Sequence, residues 1–515
     1  MPKNSKIIIA KNIRVDRDYI NVCDADMLAA VNSNAVASAS NYSFIRKNRS
    51  VKVSFTYAQC VQCNYMAFQN PDYSNKWFFA WIDSIEYVGE NTCQIDFTID
   101  HFSTWWSSLN KTSVFVEREH VNNDNFGVHS LPEPVKPDKL IINYTIYKRY
   151  TDFNIIVFWL PAQINADNPG YAVNLHYNTP ANVNKYPATT AGIADLETDL
   201  SPGHGLVNAN IISIFMCPTA FIDPVMTGKY MDVHSVSVSD TVAMPAPTNL
   251  DGYVPVNKKM LTYPYNFIAI SNGNIEKTYK YEKFGLAGQG AGNFKIVGAV
   301  IPNGGATMYP MAYDGVVYEN VPESLTIGDF PMVAIDTDSY AAWLAQKSSG
   351  VVMQGIMSTL TGALAGGMKG GMAGAAIGAG MGLVGGVTNY MSQEEAARAE
   401  RDSVVGTNET TVDMIQGLMG YTFCQRCAVA DDAERIDRFF SQFGYNVSIC
   451  KVPNYTGRQY WNYVKINGSA GYGALPEESR VIINNALNKG ITIWHSHNNV
   501  GNYFIGGTKM QNPII

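Results

Sequence analysis

The stretch Gly350–Met391, GVVMQGIMSTLTGALAGGMKGGMAGAAIGAGMGLVGGVTNYM, decides how the rest of this chain is read. It carries a single charge, Lys369, and lies between Lys347 upstream and Glu394-Glu395 downstream. Glycine recurs every fourth residue at Gly362, Gly366, Gly370, Gly374, Gly378, Gly382 and Gly386, with Ala, Met, Leu, Ile and Val in the intervals. Each interior glycine costs a helix about 1 kcal/mol relative to alanine, so this register makes a poor water-soluble helix. In lipid the balance changes, because small residues four apart form a face along which helices approach closely, and backbone polar groups must be satisfied within the segment. A helix crossing the hydrocarbon core needs about 20 apolar residues. The run offers two spans of nearly that length on either side of Lys369-Gly370-Gly371, the pattern of a hairpin. The same composition also suits a loop buried inside an assembly, or a linker, and residue pattern alone leaves all three open.

The chain has 515 residues, 46% hydrophobic and 16% charged, against a usual charged share of about 25%. So low a charge content points to a surface covered by copies of the same chain. A net charge of -7 argues against a protein that grips phosphates, which needs a basic excess. The 30 Tyr and 43 Gly, with Thr, Val and Ile in short runs bounded by Asn, Asp, Gly and Pro, are β-protein chemistry. Near the start only Ile7 to Ile9 is continuously apolar, too short for a signal-peptide core. The expectation is synthesis in the cytoplasm, with the eight cysteines reduced.

Taken in order, Ser50–Tyr57 and Thr92–Ile99 alternate like half-buried strands, and Asn64–Phe68 and Trp77–Tyr87 are aromatic-rich strands forming a hairpin around the turn Gln69–Lys76. A helix is expected over Asp100–Leu109. The Pro-rich connector Leu131–Pro137 marks a boundary. Ile141–Leu160 holds two strands, the second (Asn154–Leu160) apolar enough for burial on both faces, and buried-strand signals recur at Ile211–Met216 and His234–Val242. Asp336–Gln346 reads as a helix capped by Asp336 or Asp338, and Ser392–Arg401 as a charged helix with Ser392 as cap. Asp431–Gly444 is a helix stopped by Gly444. After it come strands at Tyr445–Val452, Tyr460–Ile466 and Gly490–Trp494, and a helix over Glu477–Leu487.

Motifs that would carry chemistry are thin. Cys60-Val61-Gln62-Cys63 and Cys424-Gln425-Arg426-Cys427 are separated by most of the chain, whereas a zinc ribbon wants its pairs about 15–20 residues apart. Cys60 and Cys63, beside a strand, are expected on opposite faces. His495 and His497 share a face if their strand continues, but have no third ligand nearby. His101 and His120 lack a matching acid and nucleophile. Gly366-Gly367-Met368-Lys369-Gly370-Gly371 lacks P-loop spacing and the Ser/Thr after lysine. The clusters Trp77-Phe78-Phe79-Ala80-Trp81 and Trp105-Trp106 are read as core or interface packing in preference to a sugar platform. No residues support an enzyme, a metal or a cofactor.

A group of motifs resembles the distal tail-knob, or tail-tube, proteins of small short-tailed bacteriophages, podoviruses of the Picovirinae type. They are Tyr65 to Phe78 (YMAFQNPDYSNKWF), Ile99-Asp100 with Thr104-Trp105, Phe115 to Val121 (FVEREHV), Tyr263-Pro264-Tyr265 and the glycine run. Phe439-Phe440 with Phe443-Gly444-Tyr445, and Gly490 to His495 (GITIWH) with Gly501-Asn502-Tyr503, complete the set. The motifs follow family order from about residue 40 to the C-terminus, the stretch between about Tyr171 and Leu250 apart.

The resemblance implies a mainly β, β-rich α+β fold: a tail-tube-like β-barrel domain in a hexameric hollow cylinder, an inserted outer β domain and a long hydrophobic glycine-rich loop. The implied organisation is an N-terminal tube domain at 1–132, a β-rich segment with the inserted domain at 133–335, the helix-flanked loop at 336–405 and a C-terminal α+β segment at 406–515. Implied partners are five further copies in a homo-hexamer, other tail proteins such as the lower collar or tube above the knob, the host cytoplasmic membrane, and double-stranded DNA passing without specific binding. The implied location is the distal tail tip of the virion. The loop residues implied to plug the lumen or enter the membrane are Val351, Met353, Ile356, Met357, Leu360, Gly362, Leu364, Gly366, Met368, Lys369, Gly370, Met372, Gly374, Ile377, Gly378, Met381, Gly382, Leu383 and Gly386. Alternatives are a purely structural tube or adaptor whose loop only plugs the channel, and a tail-associated wall-degrading enzyme.

Overall fold

The computed structural model describes residues 5–15, 19–21, 24–40, 42–45, 49–150, 152–161, 181–200, 209–219, 230–233, 237–272, 275–285, 291–299, 306–314, 324–327, 335–336, 420–505, 507 and 509–515. It divides into two compact units, one made of residues 1–140, 248–265 and 428–515, the other of 141–247 and 266–427.

The first unit opens with β1 (Lys6–Ala10), β2 (Tyr19–Asn21), α1 (Asp24–Ser33), β3 (Ala35–Ser40), β4 (Ser43–Ile45) and β5 (Ser50–Val53). Next come α2 (Tyr57–Cys60), β6 (Tyr65–Asn70), β7 (Lys76–Gly89), β8 (Thr92–Ile99), α3 (His101–Trp105), β9 (Asn110–Lys111) and β10 (Val114–Glu119). A seven-stranded sheet runs β3-β1-β6-β7-β8-β5-β4. The β6–β7 hairpin is the one expected from the sequence, with Tyr65 opposite Trp81 and Asn70 opposite Lys76. A 3-10 turn at Pro71–Tyr73 leads into Ser74 and Asn75, both at positive φ, a region Asn tolerates better than most residues. Alternation along β8 buries Cys93, Ile95 and Phe97, and Phe78, Trp105 and Trp106 lie in the same core, as core packing of the aromatic clusters requires.

Two expected boundaries move. The strand at Ser50 ends at Val53, because Thr56 and Gln59 form a reciprocal capping box that starts α2, and a satisfied helix N-terminus outweighs continued alternation. The helix after β8 keeps its start, capped by Asp100, but passes at Trp106–Ser108 into a 3-10 turn.

The second unit contains β11 (Leu140–Arg149), β12 (Phe153–Pro161), β13 (Ala181–Pro187), α4 (Thr190–Leu200), β14 (Ala209–Pro218), β15 (Tyr230–Val233) and β16 (Ser237–Met244). It continues with β17 (Asn266–Ser271), β18 (Glu276–Tyr279), β19 (Gly292–Ala299), β20 (Ala306–Pro310), β21 (Leu325–Ile327), β22 (Ile335–Asp336) and β23 (Gly420–Ala428). Its sheets run β15-β13-β12-β14-β22, β11-β23-β17-β18 and β16-β19-β20-β21. Successive residues Ile155, Ile156 and Val157 of β12 are all buried, so this strand is covered on both faces, as its apolar run predicts.

The chain completes the first unit with α5 (Ala430–Phe443), β24 (Tyr445–Lys451), β25 (Trp461–Asn467), β26 (Gly471–Tyr472), α6 (Glu477–Lys489) and β27 (Ile491–Trp494). Strands β2-β27-β25-β10-β24 form a five-stranded sheet. Helix α5 buries Ile436 and Phe440 one turn apart and stops at Gly444, as expected. A Cβ there would stand 2.1 Å from the Glu119 carbonyl oxygen at a φ of +65°, so the stop and the approach of β10 both need glycine.

Asp100 pins one helix of this unit to its sheet. Its buried carboxylate accepts the Ser103 N–H (3.0 Å), the Ser103 hydroxyl (2.7 Å) and the Tyr65 hydroxyl (2.8 Å), tying α3 to β6. Asp100→Ala is expected to destabilise the chain by about 3 kcal/mol by stranding buried donors. Asp100→Asn, which keeps one acceptor for the cap, should cost less. Urea unfolding followed by tryptophan fluorescence checks the order; equal effects would contradict the capping role.

Candidate functional site: tethers of the apolar segment and a buried polar seam

The glycine run and every loop residue named for it, Val351 through Gly386, lie outside the described residues, as do the expected helix at Ser392–Arg401 and most of that at Asp336–Gln346. Of that helix only Asp336 is described, a strand residue opposite Ser213 across β22 and β14; the other cap offered, Asp338, lies outside the described residues. Among the described residues no helix is long and apolar enough to cross a membrane.

What is described are the two ends. The chain leaves from β22, a two-residue edge strand whose Ile335 lies opposite Ile214. It returns through β23, an interior strand paired along β17 from Asn266 opposite Cys427 to Ser271 opposite Thr422. On β23 Tyr421 and Phe423 are buried, and the Tyr421 hydroxyl donates to the carbonyls of Ala306 (2.8 Å) and Leu325 (3.3 Å). The first residue of the return, Gly420, has φ +133°, and a Cβ there would stand 1.9 Å from the Lys148 carbonyl oxygen. The described residues nearest residues 337–419 thus lie in strands on either side, Ile335–Asp336 paired with β14 and β23 paired along β17.

In the first unit a polar seam joins chain segments remote in sequence. Glu133, buried, pairs with Arg118 of β10 and with the buried Lys259. Burial pushes the Lys259 ammonium below its ordinary range, against the pull of Glu133. Asp437 of α5 accepts the N–H groups of Val256 (2.7 Å) and Asn257 (3.0 Å), the Asn257 side-chain amide (2.8 Å) and the Tyr253 hydroxyl (2.9 Å). Burial raises its carboxyl above the usual range, and these donors oppose the rise. Each carboxylate is committed to fixed donors. Nothing in the sequence marked them beyond acidic residues in polar segments, because the donors come from far along the chain.

The metal-like motifs depart from expectation in one place. Cys60 and Cys63 do not face opposite sides: the capping box makes a helical turn of this stretch, and both thiols enter one core with Cys93. Burial pushes them up to about 12 and about 11, the range of inert structural thiols. Cys424 and Cys427, three apart on β23, take the opposite-face arrangement, Cys427 buried and Cys424 half-exposed. His495 and His497 do not share a strand face, since β27 ends at Trp494 and His497 begins a 3-10 turn. Among the described residues no group of three or more His, Cys, Asp or Glu could hold a metal ion.

The motifs also acquire packing roles. Trp494 and Trp461 lie 5.1 Å apart between ring centres, and Tyr503 packs on both at 5.1 and 5.2 Å. Tyr265, after the cis Tyr263-Pro264 peptide, donates to the Val135 carbonyl (2.8 Å) and stands edge-on to Phe440. The family model for the C-terminal domain of tail knob protein gp9 of Bacillus phage phi29 matches residues 234–508, more than half of the chain. The chain belongs to this tail-knob family. A second model, the N-terminus of caudoviral major tail proteins, matches residues 3–110, the stretch that supplies the seven-stranded sheet.

Over 88% of its length the chain is 23% identical to tail knob protein gp9 of Bacillus phage phi29, covering 89% of that protein. It is 22% identical to the counterpart from Bacillus phage PZA, covering 89% of this chain and 90% of that one. The solved structure of the bacteriophage C1 tail knob protein gp12 matches with a TM-score of 0.61 at 13% identity, over 99% of this chain and 100% of that one; that likeness concerns the fold. The chain is a structural protein of a phage tail and a component of the virion.

Two substitutions test the tether and the seam. Gly420→Ala forces a Cβ onto a carbonyl at an unfavourable φ and should destabilise the chain by on the order of 3 kcal/mol; an unchanged thermal midpoint would contradict the close approach. Asp437→Ala leaves the Val256 and Asn257 donors without their acceptor and should cost a similar amount, about 3 kcal/mol. Limited proteolysis within residues 248–265 should accelerate in Asp437→Ala and remain unchanged in Arg438→Ala.

Proposed function

We propose that the chain forms the distal DNA channel of the tail as a homo-hexameric hollow cylinder. In this reading residues 350–391 of each copy plug the lumen and, on host contact, insert in the cytoplasmic membrane as a pore for the genome. The observation that carries the reading is the glycine-every-fourth, almost uncharged stretch in a tail structural protein, bounded on both sides by strands of the same chain. Small-residue faces allow close helix approach where the alternative solvent is lipid. Six copies bring up to a dozen apolar segments, which satisfy one another in a closed lumen and afterwards in a bilayer. Release is a two-state event, and a trigger acts by favouring the released state. The net charge of -7 suits a channel through which DNA moves without adhering.

The contact partners that follow are the neighbouring tail proteins above the knob and the host membrane at its tip. The reading in which the segment only plugs the channel makes the same virion and differs at the membrane. Electron microscopy of the purified chain beside one lacking residues 350–391 is expected to show a sixfold ring whose lumen density disappears with the deletion. Dye-loaded vesicles should then leak with the triggered full chain and stay sealed with the deletion. A ring with an empty lumen in both proteins would overturn the plug, and sealed vesicles under every trigger would leave plugging as the segment's role.

A further inference from the structure

We propose that His120 is an acid-sensitive latch of the first unit, holding the end of β10 to β25 and to the last turn of α5 only while its imidazole is neutral. The ring is buried and both nitrogens are engaged. Nδ1 accepts the backbone N–H of Tyr463 at 2.8 Å, which fixes the proton on Nε2, and Nε2–H donates to the Ser441 carbonyl at 3.1 Å. The His120 carbonyl in turn accepts from the Asn454 side chain at 2.7 Å. A proton added at Nδ1 removes the acceptor, strands a buried N–H and places a cation where water cannot reach it.

The surrounding charges oppose protonation too. Arg458, ahead of β25, and Arg118, on β10, both bear on the ring. Glu119, next on β10, is occupied by Lys451 and the Asn454 N–H. Asp437, one turn before Ser441 on α5, is occupied by Asn257, Val256 and Tyr253, and Tyr445 on β24 has its hydroxyl on Asp124. Among the described residues, each of these neighbouring carboxylates already has a partner of its own. Burial, the first cause, and the two guanidinium groups push the ring down from 6.5 to about 3.

The sign follows from linkage. A histidine depressed in the closed state contributes its full stabilisation above about 6.5, and loses it as pH falls from there toward about 3, because the opened state takes up the proton first. The latch is a feature of the fold and holds whichever way the membrane reading falls.

Histidine C2 hydrogen exchange read by mass spectrometry on the full chain measures the ring directly. The expected midpoint for His120 lies below pH 4; a midpoint near 6.5 would overturn the proposal. In the same protein, backbone exchange at Tyr463 and the end of α5, corrected for intrinsic rate, should rise about fifty-fold from pH 6.5 to 4.5. His120→Gln should lose that rise, while His101→Gln, altering a ring bonded to Ser479 on another helix, should retain it. An unchanged rise in His120→Gln counts against the latch, and if that variant fails to fold, the C2 midpoint of the unaltered chain decides.

Discussion

Burying a charge without a fixed partner is among the most unfavourable things a fold can do, and the first unit is arranged around meeting that constraint at Glu133 and Asp437. The unit is assembled from three pieces of chain separated by long excursions. Apolar packing holds the pieces together without specifying their register, since hydrophobic contact is non-directional. The carboxylates supply direction. Glu133 accepts from Arg118, Lys259 and the Asn446 N–H, and so joins the end of the first piece to the second and third. Asp437 reads the backbone of Val256 and Asn257, so the 248–265 segment fits α5 in one register.

That arrangement bears on the role in the virion. If residues 350–391 change state as proposed, the rest of the chain must keep its fold meanwhile, which calls for unequal stability along the chain. In the first unit Glu133 and Asp437 each gather buried donors from distant chain segments. In the second unit the described residues on either side of 337–419 are strand residues, Ile335–Asp336 pairing with β14 and β23 pairing with β17 and burying Tyr421 and Phe423.

Much of the fold was legible in the sequence because local rules agreed with tertiary ones. The β6–β7 hairpin followed from turn residues flanked by aromatic runs, α5 from its period and Gly444, and β12 from an uninterrupted apolar run. Errors arose where a local device outweighed periodicity. Thr56 and Gln59 ended a strand that alternation would have continued, and so placed Cys60 and Cys63 in one core.

By itself, the sequence determined a β-rich chain and a nearly uncharged glycine-repeat segment, since composition and period act over neighbouring residues. It also carried the motifs that mark the tail-knob family. Only the tertiary structure decided which polar residues matter. His120 is a histidine with no matching acid or nucleophile until Tyr463 and Ser441 close on its two nitrogens, and Asp437 is one acid among several on its helix until residues 253–257 arrive. Gly420 looks like any other glycine until Lys148 approaches. In each case the deciding partner is distant along the chain, so no local pattern could announce it.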